Sequence, residues 1–103
     1  MRLTTQQQRT ILDAARRAFG PDACVRLFGS RINDDKRGGD FDLYVETSIA
    51  NADELVRSRL AFLAELDDSP ALSGEKVDVV LRSPLHRQER SIDRVARQEG
   101  LIL

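Results

Sequence analysis

The sequence predicts an α/β fold of the α+β kind, a small mixed sheet with helices packed mainly on one face. Three short runs, CVRLF, FDLYV and VDVVL, have the length and apolar character of strands. Amphipathic helical stretches alternate with them, and elements in that order bury their apolar sides by layering helices on a sheet. With 103 residues the chain can bury one modest core but not a second, so residues 1–103 are expected to form a single domain.

Thr5 with Gln8 three residues later reads as a capping box. Ile11, Leu12, Ala15, Ala18 and Phe19 then recur on one helical face until Gly20-Pro21 stops the helix. A strand over 23–28 runs into Gly29-Ser30, where Ser30 is expected to open a short helix. The second strand covers 40–46, followed by a polar break over 47–51. The next helix, about 52–66, is expected to bury Leu55, Val56, Leu60 and Leu63, and DDSPALSG is the loop before a third strand over 76–81. Ser83 as N-cap and Pro84 at the first helical position open the last helix, which ends at Gly100. Leu101, Ile102 and Leu103 make an apolar tail that packs either on the sheet or on a partner.

Charge excludes one broad class of partner. With 16 basic against 17 acidic residues the net charge is −1, so no bulk positive field draws nucleic acid, and any RNA contact must be local. The lone Cys24 reads as a buried core thiol in a reducing compartment, implying neither disulfide nor metal site. The start, MRLTTQQQRT, lacks a signal-peptide pattern and no run approaches membrane-spanning length, so a cytoplasmic protein without a membrane partner is expected.

The stretch LFGSRINDDKRGGDFDLYVE, residues 27–46, holds the chemistry. Alternation along a strand puts Asp40 and Asp42 on one face and Phe41, Leu43 and Val45 on the other. Asp78, inside VDVVL, adds a third carboxylate. Acids this close repel unless a cation neutralises them, and magnesium suits such a cluster because it shares its shell between carboxylates and substrate phosphates. Gly29 can take a backbone conformation closed to other residues and admit a phosphate, while a helix start at Ser30 would hold the anion on its N–H groups. Arg31, Lys36 and Arg37 are nearby cations. By themselves, Asp40 and Asp42 read better as the solvated face of an edge strand continued by Tyr44 and Glu46. Asp78 alone reads as a strand-edge acid whose neighbours Val77 and Val79 pack inward. Only the combination points to a metal and nucleotide site.

Two features stay outside that site. His86, the single histidine, falls in the first turn of the last helix and receives no role. Arg87, Arg90, Arg94 and Arg97, with Arg82 just before them, line one helical face. They are either a dock for RNA or an acidic partner, or, the favoured reading, a solvated face balanced by Glu89, Asp93 and Glu99.

Together FGSR, GGDFDLYVE and VDVVL resemble the minimal nucleotidyltransferases of the DNA polymerase beta superfamily, antitoxin members included. That family carries Gly-Ser, a spacer, Asp-x-Asp, and a third acid on a following strand. The spacer here is nine residues, short for the family, and Gly39 stands where many relatives have Ser or Asp. The resemblance implies a polymerase-beta-like fold, with Gly29, Ser30 and Arg31 binding nucleotide and Asp40, Asp42 and Asp78 holding two magnesium ions. It implies ATP or another nucleoside triphosphate as substrate, and a role for Asp78 in taking the proton from the attacking hydroxyl. Larger relatives such as poly(A) polymerases add a helical acceptor-binding domain, so with Leu103 as the last residue the acceptor surface is expected elsewhere. Family analogy makes the leading expectation an antitoxin that adds AMP to a tyrosine of a helical HEPN-type toxin. An RNA acceptor, as in toxins that block transfer RNA ends, is the second, and a partner-occluding module without chemistry the third.

Overall fold

A helix with one apolar stripe and strands with alternating sides can bury their apolar surface only by stacking. The protein is described by a computed structural model covering residues 3–29 and 41–103. Its elements are α1 (Thr5–Phe19), β1 (Cys24–Phe28), β2 (Phe41–Glu46), α2 (Ala52–Asp68), β3 (Val77–Arg82), α3 (Ser91–Glu99) and β4 (Leu101–Ile102). The sheet order is β3-β2-β1-β4. β1 runs antiparallel to both β2 and β4, and β3 runs parallel to β2 after a crossover through α2, which gives the mixed sheet expected. Ser30, Arg31, Lys36, Arg37, Asp40 and the short helix expected after Ser30 lie outside the described residues.

Strand alternation sorts the core. Val25, Leu27, Phe41, Leu43, Val45, Val79 and Leu81 share one face and pack on Ile11, Ala14, Ala15 and Phe19 of α1 and Phe62 and Leu66 of α2. The Phe19 and Phe62 rings meet at 5.4 Å between centroids, where the two helices join over the sheet. On the opposite face α3 closes over Phe28 and Tyr44 through Ala96. Among the described residues, two of three helices therefore share a face. The outer edge of β3 is guarded: Arg59 donates to the Val79 carbonyl at 2.8 Å and Arg90 to that of Leu81 at 2.7 Å, occupying acceptors that another strand would pair with.

Several local expectations shift. The capping box of α1 is Thr4 with Gln7, each side chain meeting the other's backbone N–H at 3.0 Å, while Gln8 donates to the Leu103 carbonyl. On α2 the buried stripe runs through Phe62 and Leu66, with Leu55 and Leu63 half-buried. Val56 and Leu60 lie a quarter turn or more round the helix and stay 58% and 62% exposed. Leu72, assigned to a loop, is fully inside the core. Cys24 is only half-buried, because it alternates onto the α3 side of β1 rather than the side of Val25. The last helix begins at Ser91, not at Ser83. Ser83 instead closes a turn, its Oγ accepting from Leu85 N at 3.2 Å and its own N–H donating to Nδ1 of His86 at 3.1 Å. The tail is settled in favour of the sheet. β4 pairs with β1, and the Leu103 N–H donates to the Val25 carbonyl at 2.9 Å.

Candidate functional site

Residues paired across neighbouring strands project to the same side of a sheet, so register alone arranges the face opposite α1 and α2 into rows. Phe28, Asp42 and Asp78 form one row, Arg26, Tyr44 and Val80 the next, and Cys24, Glu46 and Arg82 the third. Asp42 and Asp78 are thus direct neighbours on adjacent strands, with backbones about 4.8 Å apart. Asp78 is exposed and Asp42 half-buried. Gly29 follows Phe28 with φ +78°, a conformation in which side chains are strained. A Cβ there would fall inside van der Waals distance of Oδ2 of Asp42 and 3.1 Å from its Cγ, so the bare backbone is what lets the turn approach the carboxylate.

The sequence-predicted residues therefore divide. Gly29, Asp42 and Asp78 come together; Ser30, Arg31 and Asp40 lie outside the described residues. Among the described residues no group of three His, Cys, Asp or Glu side chains stands ready for a metal. The pair that is present fits a hard divalent cation, since it offers carboxylate oxygens from two strands on one side. Among the described residues, clefts lie elsewhere, along Thr5, Gln8, Leu12 and Arg16 of α1 and between Leu63 and Leu66 of α2 and Val77 of β3. Replacing Gly29 with alanine should cost about 1–2 kcal/mol in stability from the backbone alone and also displace the Asp42 carboxylate. Thermal melts beside nucleotide-binding assays check both effects.

Behind the acid row lies a feature the sequence reading missed. Tyr44, expected on a solvated face, has no exposed surface, and its hydroxyl donates to Oδ1 of Asp93 at 2.8 Å. Asp93, expected to balance a solvated arginine row, is itself fully buried. Arg82 donates to its Oδ2 at 2.9 Å, and Arg90 donates to Oδ2 from its backbone N at 2.7 Å and to Oδ1 from Nη2 at 2.9 Å. The Arg90 side chain first, then its backbone N–H and the Tyr44 hydroxyl, hold the Asp93 carboxyl well below the usual carboxylate range, against the opposing effect of burial. Burial, then the bond to Asp93, pushes the Tyr44 hydroxyl up to about 12. The usable signal was the position of Asp93 three residues before Ala96 on the apolar side of α3.

The arginine row is dissolved by these contacts. Arg82 and Arg90 are engaged by Asp93, Arg94 and Arg97 pair with Glu89, and Arg87 precedes the helix. No helix among the described residues is long and apolar enough to cross a membrane. Compared with known families, residues 8–99 match the one described as nucleotidyltransferase domain. No curated protein and no solved structure gives a match.

Proposed function

The chain belongs to the nucleotidyltransferase-domain family, and on that premise we propose that it moves AMP from ATP to a hydroxyl of a protein partner, with Asp40, Asp42 and Asp78 as its metal-binding acids. Transfer of a nucleoside monophosphate is the activity of the family; the nucleotide, acceptor and site residues are this proposal. The observation that carries it is the register placing Asp42 beside Asp78 on one face of the sheet, with Gly29 against Asp42.

The chain's own groups divide the work. Gly29 leaves room for the triphosphate at the turn, where Ser30 and Arg31 complete the phosphate contacts. Asp42 and Asp78 would present carboxylate oxygens to magnesium from two strands, and Asp40 would add its own. Magnesium, when bound there, neutralises the acids and phosphates and polarises the phosphoryl oxygens. Asp78, the more exposed acid, accepts the proton of the incoming hydroxyl on a carboxylate oxygen. The acceptor oxygen bonds the α-phosphorus, the α–β anhydride bond breaks, and pyrophosphate leaves. Positioning and charge stabilisation supply most of the catalysis in such transfers.

A protein acceptor is favoured over RNA because Arg82, Arg90 and Arg97, three of the arginines that would draw RNA, are paired within the fold. Within protein acceptors, the family resemblance favours a tyrosine on a helical HEPN-type toxin, with the chain as its antitoxin. Label transfer from α-labelled ATP and magnesium in source-cell lysate tests the reading. Label is expected on a protein band, and to persist when Arg87 and Arg94 are reversed to glutamate. Label on RNA that disappears with those reversals would shift the acceptor to RNA, and label independent of Asp42 would remove the site.

A further inference from the structure

Two acids on different strands keep their spacing only as well as the strands are locked together on that side. Backbone pairing sets the register of β2 and β3, and a side-chain bridge crosses the same two strands just behind the acid row. Tyr44 lies two residues beyond Asp42 on β2 and Arg82 four beyond Asp78 on β3, all on one face. Both donate to Asp93, one to each carboxylate oxygen, at 2.8 and 2.9 Å. Arg90 ties the same carboxylate to the β3 backbone through the Leu81 carbonyl at 2.7 Å. Asp93 therefore pins the start of α3 across the two strands that carry the acids.

An apolar filling would serve stability at least as well, since replacing a buried ion pair by packed hydrophobic groups is often neutral or stabilising. What the polar bridge adds is geometry: hydrogen bonds of fixed length between defined atoms. We propose that Tyr44 and Asp93 are positioning residues, which hold β2, β3 and α3 in one arrangement and so set the spacing of Asp42 and Asp78 for the metal-bound nucleotide. The proposal rests on the acid row being the nucleotide site. Neither residue touches the substrate; they act through the strands.

Binding of Mn2+ with ATP, followed by electron paramagnetic resonance, tests it without requiring an acceptor. Tyr44→Phe keeps the ring in its packing and removes only the hydroxyl. The variant is expected to melt within a few degrees of wild type, bind the Mn2+–ATP complex about tenfold more weakly, as loss of supporting hydrogen bonds around metal ligands does, and give a broadened spectrum. Asp42→Asn is expected to lose binding. If Tyr44→Phe binds as tightly as wild type while Asp42→Asn fails, the positioning role is overturned and the site stands. The role is equally overturned if the weakening only tracks the unfolded fraction. If wild type does not bind, or Asp42→Asn binds as wild type does, the site itself is overturned.

Discussion

Replacing Asp78 with asparagine is expected to lower nucleotidyl transfer by about a thousandfold while leaving the fold intact. The size follows from removing both a charge that neutralises the transition state and the acceptor of the hydroxyl proton, effects of several kcal/mol in a preorganised site. The fold should survive because Asp78 is exposed on an edge strand and its neighbours Val79 and Leu81 supply the core contacts. Like charges directly opposite on adjacent strands disfavour one another. With EDTA present, the variant should therefore melt at the wild-type temperature or above it. Single-turnover label transfer and a thermal melt on the same preparation check both halves. Transfer within tenfold of wild type would remove Asp78 from the chemistry.

Asp93→Ala is expected to give the largest loss of stability, about 3 kcal/mol, the lower end for removing one partner of a buried charge pair. The lower end applies because the side chains it leaves behind, Arg82 and Arg90, are 19% and 37% exposed and regain some water. For a chain of this size that corresponds to about 15 °C in melting temperature. The same contact has a pH signature. Arg90 first, then Tyr44, depresses the folded-state value of Asp93, so its contribution is complete above the unfolded carboxylate value of about 4 and fades as pH falls below it. Tyr44 works in the opposite sense. Its folded-state value is raised to about 12, so that contribution is complete below the unfolded value of about 10 and disappears as pH climbs between them. Denaturant melts from pH 3 to 7 should show a flatter acid limb for Asp93→Asn than for wild type. An identical slope would mean that the fold does not depress the value of this carboxylate.

The strands were legible because a period of two leaves little freedom: once Leu43 and Val45 face the core, Asp42 must face away. The placement of Gly29, Asp42 and Asp78 was legible for the same local reason, since the turn and each strand are written within a few residues. The helices were less so. On α2, both the Leu55–Phe62–Leu66 stripe and the Val56–Leu60 stripe are apolar, and only the docking of α1 decides which one is buried. At the start of α3, Ser83-Pro84 is a good helix opening that the chain spends on a turn, because Arg90 caps the helix together with Asp93. Asp93 was illegible as a buried charge because its partners Tyr44 and Arg82 are far along the chain, and local patterning treats any acid on a helix as solvated.

A crystal grown with Mn2+ and a non-hydrolysable ATP analogue tests the central claim most directly, through the anomalous signal of the metal. The account predicts a manganese peak about 2 Å from carboxylate oxygens of Asp42 and Asp78, with the triphosphate running toward Gly29. A nucleotide bound away from the Phe28–Asp42–Asp78 row, or at that row with no metal on either acid, would contradict it.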